Sequence, residues 1–150
     1  MPKPFPTSLA NSLSPNAEAI LALIQSYQRI ARLAIGAMNQ RFQATNILSA
    51  LADGQIPRHG KLEQGSFAFH GVGCRFQLSE GIIDIDFGPN GRFDGFDAWR
   101  LMLFAQENSR QLKCPKYTQE QVQRGIDELL KAGEIVSPKL EPSPHLYYLN

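Results

Sequence analysis

The sequence predicts an α+β fold: an N-terminal helix pair, an antiparallel β-meander over about residues 66–94, two further helices and a closing C-terminal β-hairpin. Three observations carry this reading. Apolar residues recur at three- and four-residue steps from Ile20 to Met38, the period of a helix. They alternate with polar ones between Phe67 and Phe87, the period of a strand. Strands and helices are segregated along the chain, and no glycine-rich phosphate loop is visible, so a parallel nucleotide-binding sheet is disfavoured.

Residues 1–13 hold three prolines and no periodicity, and are read as a flexible arm ahead of a single domain spanning 14–150. Ser14-Pro15 is a helix start, a serine cap followed by proline at the first helical position. Ile20, Ile24, Tyr27, Ala31, Ala34 and Met38 form one apolar row and Leu23, Ile30, Leu33 and Ala37 a second. So wide an arc suits a helix buried against two neighbours. A short helix from Ala44 to Leu51 follows, with Gly54 as its stop. Ile56 to Gly65 reads as a polar connection.

Strand signals begin at Phe67. Val72, Cys74, Phe76 and Leu78 alternate with Gly73, Arg75 and Gln77, while Gly71 and Gly73 suggest a bulge or bend. Ser79-Glu80-Gly81 fits a three-residue hairpin loop. The return strand sets Ile83, Ile85 and Phe87 on one face and Asp84 and Asp86 on the other. Asn90-Gly91 is a second turn signal. Asp94 is then the expected cap of a helix, with Asp97 favourable near its positive end. Trp99, Leu101, Met102, Leu103 and Phe104 supply that helix's apolar arc, with Arg100 and Gln106 on the wetter side. Thr118 and Gln121 form a capping box for the last helix, which Gly133 ends. Ile135-Val136 and Leu146 to Leu149 make the hairpin. No internal repeat is read.

With 150 residues and 43% hydrophobic content, the chain can bury about two-thirds of its unfolded surface as one domain. Its formal charge of +1 gives no electrostatic footprint for nucleic acid or an anionic membrane. The first fifteen residues lack the apolar core of a secretory signal. The most apolar segment, Ala17 to Met38, is interrupted by Gln25, Gln28, Arg29 and Arg32, against a membrane span. Cys74 and Cys114 belong to no CxxC pair and read as free thiols in a reducing cytoplasm.

Three kinds of chemistry have candidate residues in this chain. Asp84, Asp86, Asn90, Asp94 and Asp97 superficially suggest a calcium loop, but the required central glycine position holds Pro89, and no metal or other cofactor is expected. His70 could pair with Cys74, or be oriented by Asp84 or Asp86, as in a small hydrolase or metalloenzyme. Cys74 belongs instead to the apolar set with Phe76 and Leu78, as a small core hydrophobe. Helix, loop, helix and β-pair outline a winged-helix half. The exposed positions of its last helix, however, carry three acids against two bases, which repels phosphate. What remains is a mixed-charge face of Arg75, Gln77, Asp84, Asp86, Arg92 and Arg100, suited to a protein partner.

The runs FHGVGCRF and IDIDFGPNGRFDGFDAWRL resemble those of a family of short bacterial proteins known as a domain of unknown function. Its pattern is an HGxGC strand, a DFG-P-x-G-x turn and a GFDxWRL helix start. The resemblance covers about residues 57–108 well and the terminal helix and hairpin loosely; residues 1–40 match only in being helical. It implies no catalytic assignment. Small bacterial domains of this kind look similar to immunity proteins of toxin systems, which implies a toxin domain as partner.

The sequence thus favours a non-enzymatic, cytoplasmic protein-binding module that neutralises a cognate toxin. The alternatives are a winged-helix regulator and a hydrolase using His70 with Asp84 or Asp86. The candidate contact residues are His70, Arg75, Asp84, Asp86, Arg92 and Arg100. Ser14, Gly71, Gly73, Asn90, Gly91, Asp94, Asp97 and Trp99 are assigned to structure.

Overall fold

The computed structural model describes residues 12–87, 94–138 and 146–150. Helix α1 (Pro15–Phe42) is followed by α2 (Ile47–Ala52). Four strands come next, β1 (His59–Leu62), β2 (Gly65–His70), β3 (Gly73–Leu78) and β4 (Gly81–Asp86). Then come α3 (Ala98–Glu107), α4 (Ser109–Leu112), α5 (Gln119–Lys131) and a strand pair, β5 (Ile135–Val136) with β6 (Tyr148–Leu149). The first four strands form one antiparallel meander in chain order. The fold is α+β.

Ser14 caps α1, its hydroxyl accepting from the Ala17 N–H at 3.1 Å, with Pro15 at the first helical position. The two apolar rows predicted for this helix both have partners. Ile20, Leu23, Ile24, Tyr27, Ile30, Ala31 and Ala34 are buried where α1 packs against β1, β4, α3 and α5. Leu33 alone of the second row stays substantially exposed, at 44%. The α1–α5 crossing is close at Gly125, where a Cβ would stand 2.5 Å from Ile20 Cγ1. A glycine costs a helix interior about 1 kcal/mol relative to alanine, and here it admits the neighbouring helix. Thr118 and Gln121 make the predicted capping box of α5.

The meander has a regularity that the sequence reading did not recognise. Register leaves the pairs Glu63-Gln64, Gly71-Val72 and Ser79-Glu80 as two-residue turns. Six-residue strands and two-residue turns give an eight-residue period, with a glycine opening each strand at 65, 73 and 81. The loop after β3 therefore has two residues, because Gly81 pairs with Leu78. The chain also reverses at Gly71-Val72 instead of bulging. Gly71 takes a φ of 65° there, a conformation open to glycine at little cost. Val72, expected in the apolar row, stands at that turn, 53% exposed.

Further corrections concern boundaries. The supposed polar connection holds β1, an edge strand with Leu62 as its only buried residue; its pairing with β2, not its own pattern, makes it a strand. Helix α2 starts at Ile47 because the Asn46 side chain accepts from Ser49 N–H at 3.0 Å, leaving Ala44 outside. Asp97, not Asp94, caps α3, accepting from the Arg100 N–H at 2.8 Å. Both aspartates suit a cap, but only Asp97 lies three residues before a residue whose amide needs an acceptor. Residues 109–112 form the short α4 between α3 and α5. Asn90, Gly91 and Arg92 lie outside the described residues. The terminal hairpin forms, and Phe96 extends it by a bridge to Tyr147.

Candidate functional site

Alternation along the meander separates two chemistries. Phe67, Phe69, Cys74, Phe76, Ile83 and Ile85 are buried. On the opposite, outer face, His59, Ala68, Arg75 and Asp84 stand in register across the four strands, and His70, Gly73 and Asp86 form the next row. Helix α3 borders this face beside β4. Arg100 and Glu107 are seven residues apart, two helical turns, so both reach the sheet from one side of α3.

The charged side chains interlock. Arg75 donates to Asp84 Oδ2 at 2.9 Å and to both carboxylate oxygens of Glu107. Arg100 donates from Nη2 to Asp86 Oδ2 at 3.3 Å. Burial raises the Asp84 carboxyl above its ordinary range and Glu107 adds to the rise, while Arg75 opposes it. Asp86 Oδ1 is shut off from solvent and has no hydrogen-bond partner among the described residues. Its two oxygens are thus unequal, one in a long ion pair and one desolvated without return.

His70, Gly73, Arg75, Asp84, Asp86 and Arg100 line a groove of about 380 Å³, open to solvent. Asp84 and Arg100 also border a smaller crevice of about 60 Å³ against Tyr27 and Glu107. The structure therefore gathers five of the six contact residues picked from the sequence; the sixth is Arg92. Glu107 was missed, although its seven-residue spacing from Arg100 was a usable signal. Asn108 was missed as well. Its side chain accepts from Ile82 N–H at 2.7 Å and donates to Ile82 C=O at 2.8 Å, satisfying the edge of β4 as a neighbouring strand would.

Trp99 departs from its assignment. It lies on the first turn of α3 beside Arg100, but its indole points outward and the residue is 52% exposed. The apolar arc of α3 is made by Ala98, Leu101, Phe104 and Ala105. One step of 100° round the helix carries Trp99 off that arc.

The geometry also bears on catalysis. Because the chain turns at Gly71-Val72, His70 faces outward and Cys74 inward. His70 and Cys74 therefore stand on opposite faces of the sheet and do not form a pair. Burial pushes the Cys74 thiol up to about 12, far from the thiolate a nucleophile needs. No hydrogen bond joins His70 to Asp84 or Asp86 among the described residues; those carboxylates are engaged by Arg75 and Arg100. Among the described residues no cluster of three or more His, Cys, Asp or Glu could hold a metal ion, and no helix is long and apolar enough to cross a membrane. On α5, Arg124 is paired with Glu120 at 3.4 Å, so part of its charge is already compensated within the helix.

Over residues 20–149 the chain matches the family described as a domain of unknown function, DUF6896, and it belongs to that family. No curated protein and no solved structure matches it.

Proposed function

We propose that this member of the family is a protein-binding module whose contact surface is the outer face of the meander with the adjoining first turn of α3. The observation that carries the reading is convergence: His70, Arg75, Asp84, Asp86 and Arg100 come from three successive strands and a helix to line one open groove. Exposed Trp99 lies on that helix and exposed Val72 in the turn between β2 and β3. Large exposed aromatic and arginine side chains are the residue types that dominate binding energy at protein interfaces. A groove open along its length suits a complementary surface better than a small molecule, which usually enters a deeper pocket. Orientation of Cys74 into the core and the separation of His70 from its carboxylates favour binding over hydrolysis.

For the partner we propose a cognate toxin domain, neutralised in the cytoplasm by occlusion of its active site. Wild-type protein is used as bait against a toxin encoded beside it and is co-expressed with that toxin. Capture and growth protection are expected, both lost in Trp99→Ala and Arg75→Ala and both retained in Gln25→Ala on the exposed face of α1. A partner retained by all three variants, or no capture at all, overturns the reading.

A further inference from the structure

We infer that the free edge of β1 takes up an extended, acidic segment of the protein partner as a fifth strand of the meander. The inference rests on the protein-binding reading and adds a sheet edge to the face described above. Its first support is the phase of the hydrogen-bond ladder. Phe69 N–H donates to Arg58 C=O at 2.6 Å, so the bonds to β2 recur at every second residue, at Gly60 and Leu62. The main-chain N–H and C=O groups of His59 and Lys61 therefore point away from the sheet. Both residues are exposed, and nothing among the described residues pairs with those groups. The opposite edge is treated differently. On β4 the outward N–H and C=O of Ile82 are both taken by the Asn108 side chain, at 2.7 and 2.8 Å. An unpaired edge is a template for another strand unless a proline, a bulge or a covering element blocks it. Residues 59–62 hold no proline and pair one for one with β2. Strand addition at such an edge draws affinity from main-chain hydrogen bonds and specificity from alternate side chains.

Charge selects the occupant. Arg58, His59 and Lys61 stand along this edge, and no ion pair joins any of them to a described residue. The nearest acid along the chain is Glu63, in the turn beyond Leu62. A second copy is a poor occupant. The register that uses the outward groups of both copies is centred on Gly60 and sets Lys61 against His59 twice, with no carboxylate in the pairing to offset the charge. An edge lysine of this kind deters pairing with a copy of itself, and the same lysine favours an acidic strand. His59 and Lys61 are two residues apart and share the outer face. An incoming strand with glutamates at alternate positions, Glu-x-Glu, sets both carboxylates on that face beside them.

The test is amide hydrogen exchange and chemical-shift titration of isotope-labelled protein by NMR at low salt. In the free protein the His59 and Lys61 amides should exchange much faster than those of Gly60 and Leu62. Slow exchange at His59 and Lys61 in dilute protein means an edge already covered, and overturns the inference. Acetyl-Thr-Glu-Thr-Glu-Thr-amide should shift and protect those two amides, and acetyl-Thr-Lys-Thr-Lys-Thr-amide should not. The glutamate peptide N-methylated at both glutamates keeps its charge but loses its donors, and should bind about tenfold more weakly or worse. Lys61→Glu should weaken the glutamate peptide about tenfold while the Gly60 and Leu62 amides stay protected, which separates it from loss of the strand. Equal binding of the methylated peptide means attraction by charge alone and overturns strand addition. Equal binding of the lysine peptide overturns the acidic assignment. Protection that rises with protein concentration and no peptide assigns the edge to a second copy instead. Silence from every peptide overturns the edge site, and the bait experiment then judges the outer face separately.

Discussion

The two faces of the meander share one backbone and differ in every other respect. Phe76, Ile83 and Ile85 on the inner face are at most 1% exposed, and Phe67 stacks edge-on against Phe42 of α1 at 5.7 Å. One residue along each strand, Arg75 and Asp84 form a cross-strand pair with side chains 30% and 58% exposed. Burial on the inner face contributes about 25 cal/mol per Å² of apolar surface removed from water. Exposed ion pairs contribute only about 0.2–1 kcal/mol each. The inner face is therefore specified by folding, whereas folding places only weak demands on the outer one. An ordered network that stability hardly needs is what a recognition surface would look like.

This contrast can be broken from either side. The largest effect is expected at Phe76, which is fully buried. Phe76→Ala should cost about 3–5 kcal/mol in urea unfolding through lost transfer energy and the cavity left behind. A cost below about 1 kcal/mol would mean that the inner face is not the core. Asn108 comes next. It is 1% exposed and its carboxamide serves Ile82 on both sides and Phe104 C=O at 2.8 Å. Asn108→Ala should cost about 1–3 kcal/mol because it leaves backbone groups of β4 unpaired. Asn108→Asp, which keeps the acceptor but buries a carboxylate against the Ile82 and Phe104 carbonyls, should cost at least as much as the alanine variant at pH 7.

On the outer face the ranking should invert. Arg75→Ala removes the centre of the network, yet is expected to change unfolding free energy by less than about 1 kcal/mol while abolishing partner capture. If its stability cost approached that of Phe76→Ala, the network would be part of the scaffold, and the distinction between the faces would fail.

How much of this the sequence disclosed follows the same division. Periodicity revealed α1, α5, the inner-face residues and the outward charges of β3 and β4, because burial imposes a pattern on neighbouring positions. It failed where structure depends on a distant partner. Strand β1 has only Leu62 to bury and exists through its register with β2. Asn108 reads as a helix-end polar residue until β4 is placed beside it. Trp99 was assigned inward on hydrophobicity, although one helical step separates it from the buried arc. Gly65 and Gly81 lie on the inner face, where a Cβ would collide, and Gly73 on the outer, a difference that appears only once the register is known.

The smallest expected effect compares one carboxylate from each region. Glu128 of α5 accepts from the Ser14 N–H at 2.8 Å and from its hydroxyl at 2.7 Å, tying the cap of α1 to the last helix. These bonds hold its carboxyl below the ordinary value of 4.5, so between the lowered value and 4.5 the unfolded chain binds more protons. Its contribution is present above pH 4.5 and is lost as pH falls through the lowered folded value. Asp84 is displaced the other way, above its ordinary 3.8, chiefly by burial. In its window the folded chain binds more protons, so stability gains as pH falls through the raised value and that gain is complete below 3.8. Urea midpoints measured from pH 7 to 2.5 should therefore separate the variants. Relative to wild type, Glu128→Gln should show less acid loss, because the group that weakens on protonation is gone. Asp84→Asn should show more, because a group that steadies the fold on protonation is gone. Parallel profiles for both variants would remove the electrostatic distinction between the helical layer and the outer face of the sheet.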